Sequence, residues 1–131
     1  MRLNRVLETC LYSKDLGRTK NFYANILDLV LYGEQENRHV FFKMPDGAVL
    51  LFFNPDETSK EGQGLPSHFA TGHQHLAFEI PKNDYQAWKE RIERANIPII
   101  QEQTWKNGVR SFYFRDPDGH LLEICEPGIW E

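Results

Sequence analysis

A repeated segment is the feature that most restricts how this chain can fold. Residues 41–55, FFKMPDGAVLLFFNP, align with residues 113–127, YFRDPDGHLLEICEP, at an offset of 72 positions. The Pro-Asp-Gly turn recurs in both segments, and the agreement extends beyond it, for instance from Phe42 to Phe114. Two unrelated hairpins that share a turn would agree only at the turn. The sequence therefore predicts an internal duplication.

The order of predicted elements is the same in both halves of the chain. Apolar residues recur at helical spacing over 15–27 and 85–97, which predicts a helix in each half. Alternating or β-branched runs bounded by turn signals predict eight strands. These strands are residues 5–13, 29–35, 38–44, 48–54, 73–81, 99–105, 110–115 and 120–126. The pattern indicates an α+β fold built from two βαβββ modules.

A polar, Gly-rich stretch separates the two modules. Residues 56–72 show no periodicity, which predicts a linker or a loop over a site. The first module is then 1–55 and the second 73–131. At 131 residues the chain has room for one ordinary domain, so we expect the two modules to make a single domain.

The charge balance and the aromatic content of the chain restrict the classes of molecule that it could bind. There are 15 Lys and Arg against 19 Asp and Glu, and no basic run, which argues against nucleic-acid or anionic-membrane surfaces. The 13% aromatic share suggests an apolar pocket for a small molecule. The longest apolar run, Ala48 to Phe53, is too short to cross a bilayer, and no secretion signal is evident. We expect a cytoplasmic protein, with Cys10 and Cys125 as free thiols.

Strand alternation places three polar side chains on one face of the predicted sheet. Glu8, His75 and Glu123 lie opposite the residues that face the helices. Their neighbours on that face are apolar: Val49, Leu51, Phe53 and Leu121. Charged groups among apolar neighbours are costly unless another charge compensates them. A divalent cation would do so, and one imidazole with carboxylate oxygens suits Mn²⁺, Fe²⁺, Ni²⁺, Zn²⁺ or Mg²⁺.

Each of these residues also has an ordinary interpretation, because strand histidines and glutamates are usually satisfied or solvated. The equivalence of the positions favours a site: Glu8 and His75 open the two modules, and Glu123 lies in the closing strand. The duplication places Leu51 at the fourth equivalent position, where it cannot bind metal. His73 competes with His75 for the ligand role, since both lie on the same face.

Three segments give the chain a family resemblance over nearly its whole length. KDLGRTKNFYANILDL, GHQHLAFEI and SFYFRDPDGHLLEI resemble segments of the vicinal oxygen chelate superfamily, which contains glyoxalases, bleomycin-resistance proteins and dioxygenases. The resemblance implies that the paired modules form a curved mixed sheet cup around a divalent ion, with helices outside. It also implies a homodimer, in which sites can lie between subunits.

The resemblance implies metal ligands at Glu8, His75 and Glu123, with Leu51 where a further ligand occurs in glyoxalase I. The leading hypothesis is a metal-dependent, glyoxalase-like isomerase or lyase that acts on a small vicinal-oxygen or thiol-adduct substrate. Glu8 or Glu123 would shuttle the proton while the ion stabilises the enediolate.

Three alternatives stay open. A thiol transferase of the fosfomycin-resistance kind fits a three-ligand site and could use Lys106, Arg110 or Arg115 for an anionic substrate. A non-catalytic binding protein of the bleomycin-resistance kind fits the aromatic content and the missing ligand at Leu51. A dioxygenase is the third alternative. Trp105 and Trp130 are candidates for closing the pocket, and catalysis by either cysteine is the least favoured role.

Overall fold

The same arrangement of strands and helices is built twice along the chain. The computed structural model describes residues Met1–Glu131. They form two compact units, Met1–Gly72 and His73–Glu131. Each unit contains one four-stranded sheet. In each unit a helix follows the first strand, as the duplication predicts.

The first unit begins with strand β1 (Glu8–Tyr12) and a helix. The α-helical part, α1 (Leu16–Asn21), continues as a π-helical turn over Phe22–Ile26. Three strands and a short helix follow: β2 (Val30–Gln35), β3 (His39–Lys43), β4 (Val49–Phe53) and α2 (Pro55–Thr58). Asp15 caps α1 by accepting a hydrogen bond from the Arg18 backbone N–H at 3.1 Å, which satisfies an otherwise unpaired donor.

The second unit repeats this order. It consists of β5 (His75–Glu79), a 3₁₀ turn (Lys82–Asp84), α3 (Tyr85–Arg94), β6 (Gln101–Thr104), β7 (Arg110–Arg115) and β8 (Leu121–Cys125). The strand order is β1-β4-β3-β2 in the first sheet and β5-β8-β7-β6 in the second. In each sheet the first and last strands of the unit pair in parallel and the other neighbours are antiparallel. The predicted α+β class with mixed sheets is confirmed.

The strand registers show which residues of the two units are equivalent. Glu8 pairs with Val49 in the first sheet, and His75 pairs with Leu121 in the second. Because β8 follows β4 at the offset of the sequence repeat, Glu8 and His75 occupy the same position of their sheets. Leu51 and Glu123 are equivalent in the same way.

One face of each sheet forms the core of its unit. In the first unit, Tyr23 packs on Phe42 and Phe52, with ring centroids 5.9 and 4.4 Å away. In the second unit, Phe112 and Phe114 lie beneath α3 and are fully buried. These rings remove large apolar areas from water, which is the main favourable term in folding. The opposite face of each sheet is left open for other roles.

Several element boundaries differ from those predicted. The first strand, predicted from residue 5, begins at Glu8, so Leu7 lies outside it and is 59% exposed. The predicted helix over 85–97 ends at Arg94, because Asn96 adopts a left-handed backbone (φ 59°) that terminates helices. None of the helices combines the length and the apolar character needed to span a bilayer.

The repeated Pro-Asp-Gly turns depend on glycine. Gly47 and Gly119 both have φ of +84°, a conformation that side chains disfavour. At Gly119 there is a second constraint, since a Cβ atom would lie 2.6 Å from Nε2 of His73. The corresponding neighbour of Gly47 is the flexible tip of Arg5 at 3.6 Å. The two turns share a backbone but not their surroundings.

Candidate functional site

The open face of the second sheet carries polar side chains at its centre. Alternation along β5, β7 and β8 places one residue in two on this face. They are His75, Ala77, Glu79, Ser111, Tyr113, Arg115, Leu121, Glu123 and Cys125. The register sets Tyr113 and Ala77 on either side of Glu123, so the carboxylate lies in the middle of the sheet.

His75 and Glu123, two of the predicted ligands, lie next to each other. Nε2 of His75 is 3.5 Å from Oε2 of Glu123. The other ring nitrogen, Nδ1, lies 2.8 Å from the carbonyl oxygen of Leu121, and a carbonyl can only accept, so Nδ1 donates. This bond fixes the tautomer of the neutral ring and leaves a lone pair on Nε2, directed towards the carboxylate.

Glu123 is a buried carboxylate with unused bonding capacity. Its side chain is 7% exposed, whereas that of His75 is 50% exposed. Oε1 of Glu123 is buried and has no hydrogen-bond partner. Burial of an unpaired carboxylate oxygen costs free energy that a protein recovers only by supplying a partner. Burial, followed by a hydrogen bond to Glu123, raises the pKa of the neighbouring Tyr113 hydroxyl.

These observations match the donor chemistry of a divalent metal. In the neutral tautomer, Nε2 of His75 and Oε2 of Glu123 are both lone-pair donors, which repel each other at 3.5 Å unless a proton or a cation lies between them. Imidazole nitrogen and carboxylate oxygen together suit Zn²⁺, Ni²⁺, Mn²⁺ or Fe²⁺. The His75–Glu123 pair is thus a fitting pair of ligands for such an ion.

The other sequence-predicted positions lie in the first unit. Glu8 is exposed at the start of β1, at the position equivalent to His75. Leu51 is 6% exposed in β4, so the position equivalent to Glu123 is a packed apolar side chain, as the sequence predicts. Glu8 stays a predicted ligand.

His73, the predicted competitor of His75, has a different environment. It lies outside β5 and its imidazole packs against Gly119. His75, in contrast, lies within the strand and faces Glu123. The structure therefore favours His75 for the ligand role.

A second group that could hold a metal ion occurs in the turn before β8. Donor atoms of Asp116, Asp118 and His120 all lie within 4.8 Å of one another. Asp116 already accepts hydrogen bonds from the Asp118 and His120 backbone N–H groups, both at 2.9 Å. Nδ1 of His120 accepts from the Gln74 N–H at 2.9 Å. These bonds hold the turn and join it to Gln74, the residue before β5. Sequence reasoning treated the segment as a hairpin turn and missed the grouping, whose signal is the Asp-Pro-Asp-Gly-His run.

A cavity of about 490 Å³ lies beside the His75–Glu123 pair. It shares Tyr113 and Leu121 with the surroundings of the pair. Its other lining residues are Ile100, Gln101, Gln103, Trp105 and Arg115. Trp105 therefore borders a cavity as predicted, and its indole N–H donates to Oγ of Ser111 at 3.0 Å. Trp130 is 94% exposed and does not border this cavity.

The basic residues that were considered for an anionic substrate have different roles. Arg115 lines the cavity. Arg110 is bound to the buried carboxylate of Glu126 through both side-chain and backbone hydrogen bonds. It also lies over the Tyr85 ring, 4.2 Å from its centroid. Arg110 is thus a structural residue. Arg115 donates from NH1 to the Gly119 carbonyl at 2.8 Å, and its other N–H groups are the cationic donors beside the cavity.

The two cysteines are unsuited to nucleophilic chemistry at neutral pH. Both are free thiols, as predicted. Burial and the negative charge of Glu123 raise the pKa of Cys125 to about 11. Burial and Glu8 raise the pKa of Cys10. A thiol is a good nucleophile only as the thiolate, so neither residue is poised to attack a substrate.

The fold and the site together define a class of protein. It has two βαβββ modules, one of which carries a histidine–carboxylate pair on the open face of its sheet. A sequence model of the Glyoxalase/Bleomycin resistance protein/Dioxygenase superfamily matches residues 2–124. The chain belongs to this superfamily, and the predicted resemblance is confirmed.

Individual relatives are similar at lower identity. A glutathione transferase FosA from Serratia marcescens is 31% identical over 110 residues, which are 84% of this chain and 72% of that protein. A metallothiol transferase FosB from Staphylococcus saprophyticus is 27% identical over 112 residues, covering 84% and 68%. A crystal structure described as lactoylglutathione lyase from Agrobacterium tumefaciens has a TM-score of 0.93 and 33% identity, covering 99% of this chain and 98% of that one.

Proposed function

We propose that this protein is a metal-dependent, glyoxalase-like isomerase or lyase that acts on a small thiol-adduct substrate with neighbouring oxygens. The observation that carries the proposal is the buried Glu123 carboxylate, with one oxygen facing Nε2 of His75 and the other without a partner. The resemblance to a lactoylglutathione lyase over nearly the full length supports the choice of reaction.

His75 and Glu123 would hold the ion, with Glu8 as the third ligand predicted from sequence. When bound, a divalent ion supplies Lewis-acid chemistry, because it polarises a substrate oxygen and stabilises negative charge that develops there. The bond from Nδ1 of His75 to the Leu121 carbonyl orients the ring and, in its neutral form, leaves the lone pair on Nε2.

Glu123 would also move the proton. Its Oε1 atom has no hydrogen-bond partner, so no donor of the chain occupies its lone pairs. A carboxylate that can both take up and return a proton suits an isomerisation.

The neighbouring cavity would hold the remainder of the substrate. Its polar groups are the amides of Gln101 and Gln103 and the guanidinium of Arg115. These groups recognise carbonyl and carboxylate oxygens, both of which a peptide-like thiol carries. Trp105 and Ile100 supply the apolar part of the lining.

A thiol transferase is the second candidate, and Leu51 favours it. An apolar residue at this position leaves at most three protein ligands and one carboxylate fewer for proton transfer. The FosA and FosB relatives are named as a glutathione transferase and a metallothiol transferase. Addition of a thiol to an electrophilic substrate needs less proton shuttling than an isomerisation, so it tolerates this loss.

Metal content tests the part that both candidates share. The protein is stripped of metal, reconstituted with Mn²⁺, Ni²⁺, Zn²⁺ or Fe²⁺, and analysed by mass spectrometry for bound metal. We expect one ion per chain in the wild type and its loss in His75→Ala and Glu123→Gln. Glu79→Gln is the matched control, because Glu79 is an exposed carboxylate on the same face of β5. If the wild type retains no ion, or if only the control loses it, the proposal is wrong and a metal-free binding protein becomes the better explanation.

Activity then separates the two candidates. The reconstituted enzyme is given methylglyoxal with glutathione or another thiol, and in parallel fosfomycin with the same thiols. Formation of a thioester from the methylglyoxal adduct supports the isomerase. Consumption of thiol with fosfomycin alone supports the transferase. Ring cleavage of catechols without either reaction would exclude both and indicate a dioxygenase.

The proposal includes a homodimer. The edge strand β2 exposes Val30 and Tyr32, which are 67% and 65% accessible, and exposed apolar residues on an edge strand suit burial by a second copy. Sedimentation velocity would show a dimer that Val30→Lys weakens. A monomer at all concentrations would contradict this part of the proposal.

A further inference from the structure

The first unit contains a cavity of its own, remote in chain position from the His75–Glu123 pair. Its volume is about 730 Å³, within the usual range for small-molecule sites. One wall is the open face of the first sheet, with His39, Phe41 and Phe53, and the other is the segment between Glu57 and His68. This segment is part of the stretch that the sequence predicts to be a linker or a loop over a site.

The duplication reveals an arginine in this cavity that lacks its partner. Arg38 is the equivalent of Arg110, since the Asn54 N–H donates to the Arg38 carbonyl as the Glu126 N–H donates to the Arg110 carbonyl. In the second unit, Glu126 neutralises Arg110. In the first unit, Asn54 stands at that position and its side chain binds Asn37 instead. Arg38 is half-buried and forms no ion pair.

The contacts of Arg38 hold its guanidinium among aromatic rings. It lies over the Phe53 ring, 5.5 Å from the centroid. Its NH1 atom is 2.9 Å from Nδ1 of His39, and a guanidinium can only donate, so Nδ1 accepts. The proton of the neutral imidazole is therefore on Nε2. Burial and the charge of Arg38 lower the pKa of His39, in agreement with a neutral ring.

The aromatic side chains form a flat wall beside this cation. The rings of His39 and Phe41 stack with centroids 4.1 Å apart and an interplanar angle of 9°. Phe53 meets the His68 ring edge to face at 4.8 Å. Such surfaces favour planar aromatic ligands, which stack or contact ring edges.

The acidic residues near the cavity do not neutralise Arg38. Glu57 is ion-paired with Lys60 at 3.0 Å. Glu36 lies exposed in the β2–β3 turn. The net effect is a half-buried cation, with its remaining N–H donors unmatched by any acid of the chain.

We propose that this cavity binds a small planar aromatic carboxylate, whose ring packs against the His39–Phe41 wall and whose carboxylate pairs with Arg38. The ligand takes the place that Glu126 fills beside Arg110 in the second unit. Bidentate pairing of guanidinium with carboxylate provides both attraction and orientation. All the residues that line this cavity belong to the first unit.

Calorimetric titration with three probes tests the ligand class. The probes are 2-naphthoate, its neutral isostere 2-naphthamide, and the non-aromatic anion cyclohexanecarboxylate. We expect 2-naphthoate to bind most tightly, with each of the other two weaker by about tenfold. Equal binding of naphthoate and naphthamide would overturn the assigned role of Arg38, and failure of all three to bind would overturn the site.

Two substitutions test the assigned residues. Arg38→Met keeps the aliphatic stem and should weaken 2-naphthoate by about tenfold, whereas Arg18→Met removes an exposed charge of the same unit and should not. Asn54→Glu gives the first unit the carboxylate of the second and should also abolish naphthoate binding. Because Asn54 caps α2, the melting temperature of Asn54→Glu is measured in parallel. If Asn54→Glu does not fold, the result for Arg38→Met alone tests the role of Arg38.

Chemical shifts locate the binding. In ¹⁵N-labelled protein, 2-naphthoate should shift the amide signals of His39, Phe41 and His68. Shifts confined to Gln101, Gln103 and Arg115 would instead assign binding to the cavity of the second unit and overturn the proposal. We expect the metal content of Arg38→Met to equal that of the wild type. Failure of 2-naphthoate to bind is therefore distinguishable from failure of the proposed catalytic function.

Discussion

The two sheets have the same strand order and register, and they differ in the chemistry of their open faces. Where the second sheet has Glu123 and Tyr113, the first has Leu51 and Phe41. The helix-facing sides are alike, since Phe42 and its equivalent Phe114 are both fully buried. The comparison shows that the duplicated scaffold fixes the core and the turns. The open face is free to diverge, and in this chain it is polar in one unit and aromatic in the other.

The largest expected effect, on metal binding, comes from replacing Glu123 of the second sheet by leucine, the residue at the equivalent position 51 of the first sheet. Glu123→Leu should weaken metal binding by about a hundredfold or abolish it. The same change removes a buried carboxylate oxygen without a partner, so the metal-free variant should be more stable by about 1–2 kcal/mol. Urea unfolding of metal-free protein checks the second part. A metal-free variant less stable than the wild type would show that Glu123 is needed for folding rather than for metal.

The two glycine turns provide a test within one scaffold. Gly47→Ala should cost about 1 kcal/mol, because alanine is strained at positive φ. Gly119→Ala should cost about 2–3 kcal/mol, because the new Cβ also meets the His73 ring. Thermal unfolding of both variants measures the difference. Equal losses would mean that His73 moves away freely.

The Arg110–Glu126 pair makes the second unit sensitive to acid, and it has no counterpart at Arg38 and Asn54 of the first unit. Hydrogen bonds from Arg110 lower the pKa of Glu126, so the stabilisation is fully present above the ordinary carboxyl pKa. It is lost as the pH falls through the lowered value. Glu126→Gln should cost about 1–2 kcal/mol at pH 7, and the difference from wild type should shrink below about pH 4. A difference that does not change with pH would indicate a purely steric effect.

The smallest expected effect is on the alkylation rate of the Cys125 thiol. With a pKa of about 11, Cys125 stays protonated at pH 8 and should react with iodoacetamide far more slowly than free cysteine. Mass spectrometry of the native protein after brief treatment checks this. Rapid labelling of Cys125 would reveal local opening of β8.

The fold was predictable from the sequence because its main signals are local or repeated. The Pro-Asp-Gly turns and the period-two runs define the strands, and the offset of the repeat defines their equivalence. The helix end at Arg94 was not predicted, although Asn96, which adopts the left-handed conformation, is a residue type that often ends helices. The π-helical turn over Phe22–Ile26 has no simple signal in the sequence.

The candidate site was predictable only in part. Alternation alone places His75 and Glu123 on one face, and the structure adds the 3.5 Å separation and the bond to Leu121 that sets the tautomer. The unpaired Arg38 was not predicted, because it is recognised only by comparing the hydrogen bonds of the two units. A cation without a partner leaves no mark in composition or periodicity.

The most direct test of the divergence between the sheets is anomalous diffraction from crystals grown with Mn²⁺. A peak between Nε2 of His75 and Oε2 of Glu123 is the predicted result. A peak confined to Asp116, Asp118 and His120, or no peak beside Glu123, would contradict the account.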